Sequence, residues 1–133
     1  MYCFDTDVLS AVIKRDPPLA LIRRLAQIPA AEQFTTTITL GELLYGAARR
    51  GSARLTRQVR EVVAIASTVL PFDVRAAEVY GPLRAELEAA GAPLAEADLR
   101  IASIALSRRL TVVTGNVRHF ERVPDLAVEN WLR

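Results

Sequence analysis

The chain has 133 residues, 51% of them hydrophobic, and a formal net charge of +2. That length suits one domain spanning residues 1–133, and the apolar fraction supplies a core and excludes a disordered chain. A balance so near neutrality points to no partner by global charge, so the kinds of charged residue carry the information.

Residues 2–5 read as a first strand, and residues 6–14 as a helix with Val8, Leu9, Val12 and Ile13 on one face. Pro17 and Pro18 break it and open a second helix at 19–27. A β-rich run at 33–37 is the second strand. A helix follows from about residue 40 to 50, ended by Gly51 and Ser52. Residues 53–67 form another, with Arg54, Arg57 and Arg60 on its polar face. The third strand is expected at 69–72, a long helix at 74–90, a turn at 91–93 and a strongly apolar helix at 97–109. The run LTVVT at 110–114 is a strand, 116–122 a turn or short helix, and 126–128 a last edge strand. Strands alternating with helices imply an α/β fold, a mostly parallel central sheet flanked by helices in three layers.

Several chemistries are absent. Cys3 is the only cysteine, so neither an intrachain disulfide nor a Cys-rich zinc site can form. His119 is the only histidine, and on the segment NVRHF it reads first as a surface or packing residue. Lys14 is the only lysine, and no phosphate-binding P-loop sequence is present. All other basic residues are arginine, whose planar fork suits phosphate, although a bias toward arginine codons gives the same composition. No signal peptide or membrane-spanning run is visible, which implies a reducing, cytoplasmic setting and no membrane partner.

Carboxylates remain. Asp5 and Asp7 follow the first strand, Glu42 lies near the start of a helix, and Glu96 and Asp98 open another. Each has a local explanation. Asp5 and Asp7 suit helix caps, Thr39 and Glu42 match a capping box, and Glu96 and Asp98 suit a helix dipole. Asn116 suits a turn. The local explanations do not account for acids falling at corresponding ends of successive β-α units. Helix N-termini in such a sheet point to the same edge as the strand C-termini. Asp5, Glu42 and Asp98 should therefore converge, with Asn116 beside them. Three carboxylates at one point raise one another's pKa, and a hard divalent cation such as Mg²⁺ or Mn²⁺ removes that conflict.

In order along nearly the whole chain, the runs YCFDTDVLS, TTTITLGELLYGA, FDVRAAEVYGPLRAELEAAGAPLAEADLRIASIAL and LTVVTGNVRHFERVPDLAVENW resemble a PIN-domain ribonuclease, of the type of the VapC toxins of bacterial toxin–antitoxin pairs. The resemblance implies a PIN-like fold. It implies a metal-dependent endoribonuclease that arrests translation, cutting RNA phosphodiesters in line to leave 5′-phosphate and 3′-hydroxyl ends. It assigns catalysis to Asp5, Glu42 and Asp98, and metal binding to Asp5 and Asp98, with Glu42, Glu96 and Asn116 as further candidates. Thr6 and Thr114 resemble hydroxyls that orient ligands. Arg100 and Arg118 are candidate RNA contacts. The family often has an acid where this chain has Asn116, so a second metal is in question, and Glu96 or Asp7 is a candidate source of the missing charge. The resemblance also implies a VapB-type antitoxin, a homodimer, toxin–antitoxin hetero-oligomers, and DNA contacted only through the antitoxin. The apolar surface at Leu43, Leu44 and Tyr45 suits such an interface, while core packing is the better reading of Leu43.

Two alternatives follow from the same residues. Asn116 is compatible with a PIN fold that has become a non-catalytic binding module. The run FDTDVL resembles the motif of haloacid-dehalogenase-like phosphatases, with Asp5 as nucleophile and Asp7 as acid. Leu9 departs from that motif, and the later lysine it requires is missing.

Overall fold

Five short strands form one sheet, and neighbouring side chains on them enter different cores. The computed structural model describes residues 1–66 and 68–133. In chain order the elements are β1 (Tyr2–Phe4), α1 (Thr6–Ile13), α2 (Leu19–Gln27), a 3-10 turn (Ala30–Glu32), β2 (Gln33–Thr36), α3 (Thr37–Arg49), α4 (Ala53–Ala66), β3 (Thr68–Leu70), α5 (Val74–Ala89), α6 (Glu96–Ser107), β4 (Thr111–Val113), α7 (Val117–Phe120) and β5 (Val128–Glu129). The strand order is β3-β2-β1-β4-β5, and every pairing is parallel.

Strands buried on both faces need apolar residues at successive positions, which explains the runs YCF and TVV. Cys3 and Val112 join a core with Leu83 and Leu87 of α5 and Ile101 and Ile104 of α6. Phe4 and Val113 join the opposite core with Val8 and Leu9 of α1, Leu21 of α2, Leu43 of α3 and Val59 of α4. Side chains as completely buried as Phe4 each contribute about 1.5–3 kcal/mol to folding. Burial and the Asp5 charge push the Cys3 thiol up to about 12, so this cysteine is an inert core group.

The topology fixes where a site can lie. From β1 the sheet grows one way through β2 to β3, then β4 is laid against the other edge of β1. The carboxyl ends of β1 and β4 therefore flank a switch point, the place where open parallel sheets bind ligands. Cys3 lies opposite Val112 and Phe4 opposite Val113, so the residues after each strand emerge side by side.

All the expected elements are present, with ends displaced by up to three residues. The third strand stops at Leu70, and Phe72 instead packs edge-on against Tyr80 with ring centroids 5.5 Å apart. The end of the helix expected at 53–67 falls on Ser67, outside the described residues. Arg54, Arg57 and Arg60 are exposed on α4. Among the described residues, no helix is long and apolar enough to cross a membrane.

Candidate active site

The strand ends deliver the acids. Asp5 follows β1 directly, and its backbone N–H donates to the Val113 carbonyl at 3.0 Å, extending the β1–β4 ladder by one residue. It also caps α1, accepting from the Thr6 amide at 2.7 Å on Oδ1. Its other oxygen accepts from the Thr114 hydroxyl at 2.8 Å. Thr114 follows β4 and is itself fixed by the Asn116 amide, which donates to its oxygen at 2.9 Å. The side chain of Asp5 is 4% exposed. Burial pushes its carboxyl up to about 6; the Thr114 and Thr6 hydrogen bonds oppose the rise, and the charges of Asp7 and Asp98 add to it.

Asp7 is held from the neighbouring strand. Its Oδ2 accepts from the Gly115 amide at 2.8 Å, and its Oδ1 lies 3.5 Å from the Thr114 hydroxyl. A Cβ on Gly115 would stand 2.6 Å from that Oδ2, so the missing side chain is what lets the two segments meet. From sequence, Asp7 reads as a cap or as a spare charge. The signal for its placement is the glycine just past β4, legible only once β4 is known to adjoin β1.

Glu42 corrects one expectation. Thr39 does not cap α3. Thr36 does, accepting from the Thr39 amide at 3.0 Å, and Thr39 is buried inside the helix. The helix starts earlier than expected because the buried Thr36 hydroxyl meets its first turn. Glu42 is thereby free of any capping box, and its carboxylate accepts from the Thr6 hydroxyl at 2.6 Å. Asp98, in the first turn of α6, is half-buried. Burial raises its pKa; His119 opposes this, while Glu42 and Asp7 push it further up. The His119 Nδ1 lies 3.6 Å from Asp98 Oδ2, a contact that the surface reading of this histidine overlooks.

The remaining candidates lie differently. Glu96 is engaged elsewhere, accepting from Tyr80 at 2.6 Å and from Arg100 at 2.9 Å, with Arg84 at 3.9 Å. Those hydrogen bonds hold its carboxyl below the usual range. Arg100 also stacks over the Phe72 ring at 5.7 Å. Asn116 is exposed, and its side chain makes no capping hydrogen bond to α7. Arg118 is exposed on α7. Leu43 is buried, Leu44 half-buried and Tyr45 66% exposed, so that surface divides between core and solvent.

Residues 2–126 match the PIN domain. The chain belongs to the PIN-domain family. The tRNA(fMet)-specific endonuclease VapC of Salmonella typhimurium is 36% identical over 130 residues, covering 98% of this chain and 97% of that protein. Ribonuclease VapC2 of Haemophilus influenzae is 36% identical over 131 residues, covering 98% of each. Among solved structures, VapBC2 from Rickettsia felis bound to a promoter DNA fragment superposes with a TM-score of 0.84 at 29% identity over 98% of each chain. With relatives that cover 98% of its length, the chain is a ribonuclease of the VapC toxin type. The phosphatase reading of FDTDVL gives way to it.

PIN-domain ribonucleases generally depend on a divalent metal ion. Among the described residues, no three His, Cys, Asp or Glu side chains form a ready chelate. The donor set nonetheless fits a hard cation. Apart from His119 beside Asp98, the charged groups that meet at the switch point are carboxylates, and burial together with neighbouring charge makes Asp5 and Asp98 resist ionisation. A small cation that keeps several of its waters needs only one or two direct carboxylates.

Proposed function

We propose that this PIN domain, spanning 1–133, hydrolyses RNA phosphodiester bonds with Mg²⁺ or Mn²⁺ held chiefly by Asp5 and Asp98. Glu42 and Asp7 complete the acidic edge, and Asp7 supplies the charge that Asn116 lacks. The observation that carries this reading is the coupling of Asp5, Asp7, Glu42 and Asp98 at the β1–β4 switch point, where burial and mutual charge raise Asp5 and Asp98. Glu96, already paired with Arg100 and hydrogen-bonded by Tyr80, is the weaker source of charge.

The cation supplies the positive charge that makes water a nucleophile near neutral pH and offsets the charge of the phosphodiester. The protein's own groups set the geometry. Thr114 fixes one oxygen of Asp5 and leaves the carboxylate little freedom to rotate. Thr6 orients Glu42 from the first turn of α1. Glu42 is exposed and unpaired by any cation among the described residues, which suits it to accept a proton from the attacking water. His119 steadies Asp98. Arg118 and Arg100 are the RNA contacts proposed near this edge.

The solved relatives with VapBC titles are toxin–antitoxin complexes. By analogy the chain acts in the cytoplasm, is restrained by a VapB-type antitoxin, and meets promoter DNA through that partner. A homodimer is proposed on the same basis; Leu19 and Tyr45, at 61% and 66% exposure, are apolar surface available for such contacts.

The test is purified chain, free of antitoxin, incubated with total RNA and transfer RNA in Mg²⁺, Mn²⁺ or EDTA, beside Asp5→Ala and Asp98→Asn. Cleavage should require a divalent ion and vanish in both variants. Metal-independent cleavage, or full activity in either variant, would remove the acidic edge from the chemistry.

A further inference from the structure

We infer that the cleft beside the acids seats one nucleotide of a single-stranded RNA, next to the phosphate that is cut, with Lys14 and Arg50 holding the following phosphate. The inference rests on the nuclease reading above and names a subsite for it. The cleft has a volume of about 390 Å³ and is walled by α1, α3 and α4. This lies near the lower end of the roughly 300–1,000 Å³ typical of small-molecule sites.

The charge pattern along the walls identifies the occupant. α1 and α3 both begin at the acidic edge, where the Thr6 hydroxyl meets Glu42, and both residues line the cleft. Eight residues further along each helix stands a cation that also lines it, Lys14 after α1 and Arg50 after α3. At 1.5 Å per residue, each backbone position is about 12 Å from the acidic end. Between the two ends the wall is mostly apolar, formed by Ile13, Leu43 and Val59 among others, with Ser10 and Gln58 as its polar members. Among the described residues neither Lys14 nor Arg50 makes an ion pair, so both charges are available. Acid, apolar wall and base in sequence match a cation-bridged phosphate, a base and the next phosphate. A duplex cannot deliver a base into such a cleft without unstacking it, which selects a single strand or a loop.

Gly46 gives a way to close the cleft. It lines the cleft, and a Cβ there would meet nothing within 4 Å. Gly46→Leu therefore fills the space from a helical position that tolerates a side chain.

The experiment first maps the cut made by the unmodified chain on a short single-stranded RNA. Binding of that RNA is then measured by fluorescence anisotropy over a range of salt. The proteins compared are Asp98→Asn, Asp98→Asn with Lys14→Gln and Arg50→Gln, and Asp98→Asn with Gly46→Leu, each verified as folded by circular dichroism. Loss of the contact to that one phosphate should flatten the slope of log affinity against log salt by about 0.7. A single neutral methylphosphonate next to the cut should erase the difference that Lys14→Gln and Arg50→Gln make. An abasic residue at the same place should erase the difference made by Gly46→Leu. Unchanged binding in both variants, or losses spread evenly over all backbone positions, overturns the subsite while mapped cleavage keeps the nuclease reading. Intact RNA binding with weakened capture of a VapB-type antitoxin assigns the cleft to a peptide and overturns it as well. Absence of any cut defeats the nuclease reading, and the subsite falls with it.

Discussion

Replacing Asp5 by asparagine should make the metal-free protein more stable at neutral pH, although it removes a proposed metal ligand. Asp5 is 4% exposed, and its carboxyl is pushed from 3.8 up to about 6, mainly by burial. In the unfolded chain the group loses its proton near 3.8; in the folded chain it holds the proton until about 6. Below about pH 3.8 both states are protonated and the carboxyl costs nothing. Between the two values the unfolded state ionises first, so stability falls as pH rises. Above about 6 both are ionised and the full cost is present. At about 1.4 kcal/mol per pH unit, the interval corresponds to about 3 kcal/mol.

Asparagine keeps the acceptor for the Thr6 amide and carries no charge at any pH, so it escapes this cost. The difference in stability between Asp5→Asn and the unmodified chain should grow by about 2 kcal/mol between about pH 4 and about pH 8, in favour of the variant. Urea unfolding followed by circular dichroism, in EDTA, measures it. Added Mn²⁺ should then reverse the order, stabilising the unmodified chain by mass action and the variant little. A stability difference independent of pH, or equal stabilisation of both proteins by the metal, would refute the claim that Asp5 is a buried charge awaiting a cation.

Three other outcomes follow from single contacts. Gly115→Ala forces a Cβ to 2.6 Å from Asp7 Oδ2 and 2.9 Å from Leu132 Cδ1, and should cost about 1–3 kcal/mol in urea unfolding and weaken Mn²⁺ binding; unchanged values would mean that Asp7 is not pinned there. Thr36→Ala should cost about 1 kcal/mol as the lost cap of α3, whereas Glu42→Gln should stay within about 0.5 kcal/mol, so an equal loss in both would restore the capping-box role to Glu42. Asn116→Asp, exposed at the start of α7, should tighten Mn²⁺ binding about fivefold by adding a charge worth about 1 kcal/mol, and calorimetry showing no change would place it beyond reach of the cation.

The alternation of strands and helices was legible because each strand is short, apolar and bounded by turn residues, and a parallel sheet follows from that alternation alone. The order of the strands was not legible. Nothing local in TVV says that β4 adjoins β1 and not β3, and without that pairing Asp7 has no visible partner in Gly115. The capping error at Thr39 has a similar origin. Thr36, Thr37 and Thr39 all have hydroxyls fit to cap a helix; Thr36 does so because it ends β2 in extended backbone, while Thr37 and Thr39 already lie inside α3. Glu96 and Asp98 look alike in sequence at the start of α6, yet one turns to Tyr80 and Arg100 and the other to His119 and the acidic edge.

The local and the functional explanations of the acids also turn out to be one geometry. Asp5 does cap α1, through Oδ1, while its Oδ2 is bound by Thr114 from the neighbouring strand. A helix N-terminus in a parallel sheet opens at the ligand edge, so a capping carboxylate there is already aimed at the site. The cap holds the side chain in one rotamer, and the buried strand ends keep water from relaxing its charge. What distinguishes this carboxylate from an ordinary cap is its burial, which raises the cost of its charge, with Asp7 and Asp98 adding to that cost. On the proposed function, that cost is the differential that a divalent cation would recover on binding, which an acid on an exposed loop could not offer.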